Sequence, residues 1–223
     1  MRGLLESWRA CLKSVALHPL MSVMAAFSGG IILWGGMNWS LEITNTETFC
    51  VSCHVMREYV FKEYKKTGHY TNRTGVRASC PDCHVPREWR HKVKRKVLAT
   101  NEFFHWMLGS IDTPKKFKAK RGEMARRVWV SMKETDSREC RNCHGMDSMA
   151  HQEQTMSAST MHVLAGKWDK TCIDCHQGIA HALPDDFDVN VQMDELHDRM
   201  EKEEVGCQLC HEDMTQAPRG EGW

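Results

Sequence analysis

Apolar and polar positions are divided unevenly along this chain. Residues 14–41 contain no Asp, Glu, Lys or Arg, and residues 19–37 are predominantly apolar. A run of that length predicts a helix able to cross a bilayer, which takes about 20 residues. Arg2, Arg9 and Lys13 precede it, while Glu42 and Glu47 follow it. The positive-inside bias then predicts a cytoplasmic N-terminus, with the rest of the chain outside. The competing reading is a cleaved signal peptide. The run is long for an apolar signal region of about 7–15 residues, and no convincing small-x-small cleavage site follows, so an uncleaved anchor is expected. Gly29-Gly30 and Gly35-Gly36 read as helix-packing or helix-end glycines.

Beyond residue 41 the pattern changes. Residues 87–101 and 114–134 have helical composition. Ile111-Asp112-Thr113-Pro114 breaks between them, and Pro114 suits the first turn of the second helix. Strand-like alternation is nearly absent. The expected fold is all-α: a single N-terminal transmembrane helix followed by short helices with little or no sheet. The Pro/Gly-rich end at 217–223 reads as a mobile tail.

Cysteine changes the picture most. Ten of the 11 Cys fall in five copies of Cys-x-x-Cys-His. The first copy is Cys50, Cys53 and His54; the second is Cys80, Cys83 and His84. The third is Cys140, Cys143 and His144; the fourth is Cys172, Cys175 and His176; the fifth is Cys207, Cys210 and His211. The motif is the attachment signature of covalent c-type haem: two thiols form thioethers to the vinyl groups, and the adjacent imidazole can ligate the iron. A lone Cys-x-x-Cys could instead be half a zinc site or a redox dithiol. Neither needs the following His. With 13 His in 223 residues, five chance placements have odds of roughly (0.06)^5, about one in a million. Five covalent haems are therefore expected, with the protein packed around porphyrin rather than a large aliphatic interior. Cys11 is left over and reads as a small apolar residue. In a bacterial chain such haem is attached outside the cytoplasmic membrane, so these Cys are not read as disulfides despite the compartment.

Three regions follow: a cytoplasmic head and anchor at 1–41, a four-haem domain at 42–186, and an extension at 187–223 with the fifth motif. The motifs begin at Cys50, Cys80, Cys140, Cys172 and Cys207, a loose repeat with one double-length gap. The net charge of +1 gives no reason to expect nucleic-acid binding. Residues 87–133 are nonetheless rich in Lys and Arg, and residues 185–213 are acidic, an asymmetry suited to docking partners. Residues 87–96 could meet haem propionates, lipid head groups or an acidic partner; a solvated helical face is the default.

Several stretches resemble the NapC/NirT family of membrane-anchored multihaem quinol dehydrogenases. They are Leu33-Trp34-Gly35-Gly36, Asn45-Thr46-Glu47, the run from Gly75 through Cys80-Pro81-Asp82-Cys83-His84 to Pro86, and Ile111-Asp112-Thr113-Pro114. Glu139-Cys140-Arg141-Asn142-Cys143-His144, Thr171-Cys172-Ile173-Asp174-Cys175-His176 and Gly178-Ile179-Ala180-His181 extend the match, which runs from about residue 20 to 185. It is similar above all to the four-haem donors of periplasmic nitrate reductase, and it departs from them in its fifth motif. The resemblance implies a bacterial inner-membrane protein that oxidises menaquinol or ubiquinol and passes electrons to a periplasmic terminal reductase. Nitrate reductase is the leading partner; a trimethylamine-N-oxide-type or nitrite reductase is the alternative.

The same resemblance implies site residues. His69, His162 and His181 are the implied distal ligands of haems two to four. His197, ten residues before the fifth motif, is the nearest candidate for that haem. At the first haem either His54 or Met56 is the axial ligand, because a related haem in the family uses the Met at that position. His91 and His151 are expected to be exposed. Asp112 is implied to lie over the open face of the first haem, beside bound quinol, where a carboxylate can take a proton as electrons leave. Its alternative is a helix N-cap ahead of Pro114. Where some members carry a Lys one or two turns earlier, this chain has His105 and Trp106, so His105 is a second candidate. A terminal reductase of nitrite or hydroxylamine would need an open haem at a soluble-phase pocket, against which the spare His argue. A passive storage cytochrome leaves the anchor and Asp112 without a purpose.

Overall fold

The computed structural model describes residues 3, 6–8, 13 and 18–211; Cys11 and the tail at 217–223 lie outside the described residues. The longer helices are α1 (Pro19–Ile43), α5 (Trp89–Met107), α6 (Pro114–Glu134), α8 (Met156–Lys167) and α9 (Val189–Lys202). Four short ones lie among them: α2 (Glu47–Cys50), α3 (Phe61–Tyr64), α4 (Cys80–His84) and α7 (Arg138–Arg141). No strand occurs among the described residues, in keeping with the expected all-α class.

α1 has no buried side chain, and its mean hydropathy reaches 1.6. A helix apolar over most of its length, with no side chain buried among the described residues, is suited to lipid. Its four glycines fall inside the helix with nothing within 4 Å of an added Cβ, so none of them ends it. The C-terminal end of α1 is tied to α5. Trp34 and Trp89 rings meet at 5.4 Å, and Trp89 Nε1 donates to Asn38 Oδ1 at 3.1 Å. Lys92 pairs with Glu42 at 2.6 Å, and Lys96 Nζ donates to the Thr44 carbonyl at 2.8 Å. These bonds place the first Cys-x-x-Cys-His motif directly beyond the end of the anchor.

α5 runs to Met107, past the expected end near 101, because nothing breaks its hydrogen-bond ladder before Gly109. Gly109 takes a left-handed φ of +61°. Its amide donates to Trp106 O, and Ser110 N donates to His105 O, both at 3.0 Å. This is the Schellman ending, in which glycine avoids the Cβ cost of the left-handed turn. α6 begins as expected with Pro114 in its first turn. Its cap is Thr113, whose hydroxyl accepts from Lys116 N at 3.4 Å. The capping alternative for Asp112 is thus corrected: its carboxylate is left for other partners.

The protein's own apolar core is small: Val55, Tyr64, Phe117, Leu164, Trp168 and Ile173 are the buried apolar side chains among the described residues. Polar staples do much of the joining. Glu63 receives Arg121 Nη1 at 3.0 Å and the Ala182 amide at 3.0 Å, while Arg121 also donates to Ala182 O at 2.9 Å. Ser137, fully buried and left-handed at φ 48°, accepts from Ile173 N at 3.1 Å and locks α7 to the turn at Cys172–Asp174.

Candidate functional site

The sequence spacing Cys-x-x-Cys-His puts its three side chains at i, i+3 and i+4. On one helical turn these positions share a face. The second motif forms such a turn, as α4, which holds Cys80, Cys83 and His84. In the third, fourth and fifth, the His amide donates to the first Cys carbonyl at 2.9 Å. Two of these turns are fixed by the same device. Asp82 Oδ2 accepts from Ser79 N at 2.8 Å and Ser79 Oγ at 2.6 Å; Asp174 Oδ2 accepts from Thr171 N at 2.8 Å and Thr171 Oγ1 at 3.0 Å.

The first motif differs: Cys50 and Cys53 do not share one helical turn. Cys50 is the last residue of α2, whereas Cys53 lies in the bend that follows it. The two cysteines therefore sit on different pieces of backbone rather than on one helical turn. The reason is local. α2 is only four residues long and ends at Val51, whose ψ of 0° turns the chain away. Cys53 then belongs to the next segment: its carbonyl accepts from Arg57 N at 3.0 Å. The chain re-enters helix at His54 and passes through a π-helical turn at Met56–Val60. Such turns are rare and concentrate at functional sites. Cys53 is half-buried, one residue before the more exposed His54.

Each of the other four motif imidazoles faces one imidazole from elsewhere. His84 faces His181 with ring centres 6.2 Å apart, and His144 faces His69 at 6.0 Å. His176 faces His162, and His211 faces His197, both at 6.3 Å. The partners cross in sequence: the His earliest in the chain, His69, meets the third motif, and His181 meets the second. Two imidazoles bound to one iron on opposite faces should lie about 6.3 Å apart, from metal–nitrogen bonds of about 2.0–2.1 Å and about 1.1 Å to each ring centre. The donor set and its spacing therefore fit haem iron at these four motifs.

The surroundings favour neutral, ligand-ready rings. Burial is the main cause that lowers the pKa of His69, His176 and His181, and it takes His84 down to about 4. His162 Nδ1 lies 2.7 Å from Gln154 Oε1. An amide oxygen only accepts, so Nδ1 carries the proton and Nε2 is left to bind metal. The His69 loop is pinned by buried Tyr64, whose hydroxyl meets the carbonyls of His69, at 3.1 Å, and Ala78. The His181 loop is held at Ala182 by Glu63 and Arg121. His91 is exposed as expected. His151 is not: it is half-buried, its Nδ1 is enclosed without a hydrogen bond, and its ring lies 6.3 Å from that of His162.

His54 has a different setting. Its ring neighbour is Tyr59, edge-on at 6.4 Å, and it lines a pocket with Val55, Trp106, Ile111 and Asp112. Met56 opens the π-helical turn and is half-buried. His105 is exposed, outside the pocket lining, with Nδ1 3.2 Å from Ser110 Oγ. The structure thus brings Asp112 to the first motif but does not bring His105 with it. Lys116 was missed in the sequence because it sits in a Lys-rich helix start; its Nζ donates to Asp112 Oδ1 at 2.8 Å and Gly109 O at 2.9 Å. That hydrogen bond, with the ammonium charge, holds the Asp112 carboxyl below its ordinary pKa.

The profile of the NapC/NirT cytochrome c family, N-terminal region, matches residues 12–186. The chain belongs to this family. It is 57% identical over 156 residues to the denitrification system component NirT of Stutzerimonas stutzeri, covering 70% of this chain and 78% of that one. It is 49% identical over 181 residues to cytochrome c-type protein NapC of Escherichia coli K12, covering 81% and 90%. Cytochrome c-type protein TorC of the same strain is 44% identical over 169 residues, covering 74% of this chain and 43% of TorC. No solved structure matches. As a NapC/NirT cytochrome the chain binds covalent c-type haem, and α1 is its membrane anchor. It is a membrane-anchored electron donor to a periplasmic reductase. The family match holds the first four motifs and stops before the fifth.

Proposed function

We propose that this NapC/NirT cytochrome oxidises membrane quinol at the pocket of His54, Val55, Trp106, Ile111 and Asp112. Its electrons then leave toward the periplasm along five motifs set in chain order. The observation that carries this reading is the meeting of Asp112 with the first motif, just beyond the C-terminal end of α1. The motif order supports it. α2 packs on α4 and α4 on α7. The Cys50 and Cys80 thiols lie within hydrogen-bond reach, as do those of Cys140 and Cys172. α8, which carries His162, packs on the turn at Cys207–Leu209, with Thr160 Oγ1 donating to Leu209 O at 3.0 Å.

Haem, when bound, supplies the one-electron carriers. The chain's residues do the rest. The two thiols of each motif hold a haem covalently, giving five; at the first haem they are Cys50 and Cys53. His84 with His181, His144 with His69, His176 with His162 and His211 with His197 would hold the irons, and His54 or Met56 would serve the first. Trp106 and Ile111 offer apolar surface to a quinol ring. Asp112 accepts the proton that a quinol hydroxyl must shed, since two protons leave with two electrons. The N-terminus lies in the cytoplasm and the motifs in the periplasm.

Nitrate reductase is the acceptor best supported, by the extent of the match to NapC. The fifth motif keeps a trimethylamine-N-oxide-type or nitrite reductase as the second reading. The test is haem reduction by added quinol in membranes, with and without a quinol-site inhibitor. Inhibitor-sensitive reduction supports the proposal, and its absence opposes it. Nitrite or hydroxylamine consumption by the isolated chain would instead make it a terminal reductase.

A further inference from the structure

The Asp112 carboxylate in the pocket lining has a cation as its partner. Lys116, in the first turn of α6, lies outside the pocket lining but binds the lining residue Asp112. Its ammonium bridges two parts of one short turn: the Gly109 carbonyl at 2.9 Å and Asp112 Oδ1 at 2.8 Å. The other carboxylate oxygen lies against Gly109, where an added Cβ would be 3.0 Å from Asp112 Oδ2. The carboxylate is thus held on one side by Lys116 and on the other by bare backbone, in a turn joining two helices. Thr113 takes the capping role, so the helix start does not need Asp112.

We propose that Lys116 is the positioning residue of the quinol site, holding the Asp112 carboxylate in the pocket so that a quinol hydroxyl can meet it. This rests on the quinol reading above. An exposed ion pair of this kind contributes little to stability. Its effect is geometric: a displacement of about 1 Å in a reacting group can cost on the order of 100-fold in rate.

The test compares Lys116→Met, Lys116→Arg and Asp112→Asn in the full-length chain, in proteoliposomes with a ubiquinol or menaquinol analogue. Haem content, thermal stability, kcat and KM are measured for each. Expected for Lys116→Met are unchanged haem content and stability, a kcat lower by about 10-fold or more, and a KM within about twofold of wild type. Lys116→Arg, which can make both hydrogen bonds, should recover most of the rate. A Lys116→Met chain as fast as wild type overturns the inference while a slow Asp112→Asn leaves the quinol reading standing. A Lys116→Arg chain as slow as Lys116→Met overturns it too, as does a raised KM with unchanged kcat, which would make Lys116 a binding contact. If Asp112→Asn is itself as fast as wild type, the quinol reading fails and the inference fails with it.

Discussion

Asp112 and Glu63 are both carboxylates, and their surroundings give them different work. Asp112 is half-exposed, bonded to Lys116, and set in the pocket beside His54. Asp112→Asn should keep every haem attached but slow quinol oxidation by about 10²–10⁴-fold, the usual contribution of a general base. Stopped-flow reduction by quinol checks this, with dithionite reduction as the control for haem content. Glu63 instead clamps Arg121 to the His181 loop. Burial pushes its carboxyl up, but the bonds from Arg121 and the Ala182 amide outweigh this and leave it below its ordinary value. A carboxyl lowered on folding stabilises above its unfolded pKa, and that contribution is lost as pH falls. Glu63→Gln should therefore cost about 1–3 kcal/mol at pH 7. The gap to wild type should close as pH drops below about 4.3, as followed by thermal unfolding across pH. Asp112 was legible in the sequence through its neighbours in Ile111-Asp112-Thr113-Pro114. Lys116, Glu63 and Gln154 were not, because each acts through a partner that only the folded chain brings near.

At the scale of elements, the turn between α5 and α6 decides where the pocket lies. Gly109 ends α5 with a left-handed φ and leaves room for the Asp112 carboxylate. Gly109→Ala would strain the backbone and crowd Asp112 Oδ2. The expected cost is about 1–2 kcal/mol in stability, with slower quinol oxidation at full haem content. Circular dichroism melts and quinol kinetics on one preparation check both. The break at 111–114 and the start of α6 were readable from Pro114, since proline fits a first turn whatever the tertiary context. The end of α5 was not readable near 101, because the stop is set by Gly109 rather than by composition. The i, i+3, i+4 spacing is compatible with the helical turns at the later motifs. The same spacing gives no warning that Cys53 lies in a bend, or that a π-helical turn follows His54. The crossed pairing of His69 with the third motif and His181 with the second depends on how α4 and α7 pack, and the linear order of the chain gives no hint of it.

At the scale of the whole molecule, the motifs run from the anchor to an acidic extension that is docked against the body. Gln192 Nε2 donates to Gln177 Oε1 at 3.1 Å, Arg199 lies 4.7 Å over the Trp168 ring, and Lys167 pairs with Glu203 at 2.7 Å. Asp186 pairs with Arg126 at 2.8 Å, and Phe187 packs on Trp129 at 5.5 Å, so the four-motif body extends through Phe187. A chain cut after Asp188 should bind four haems by intact mass, against five for the full chain. It should still accept electrons from quinol but reduce its soluble partner more slowly. The full chain's rate to that partner should fall with added salt, because exposed charges are screened over roughly 8–10 Å at physiological ionic strength. The most direct test of the relay is a count of the haems reduced when quinol is added to membranes holding the full chain. The expected result is reduction of all five, abolished by a quinol-site inhibitor and followed by reoxidation when a periplasmic nitrate reductase and nitrate are supplied. Haems that stay oxidised with quinol yet reduce with dithionite would contradict it.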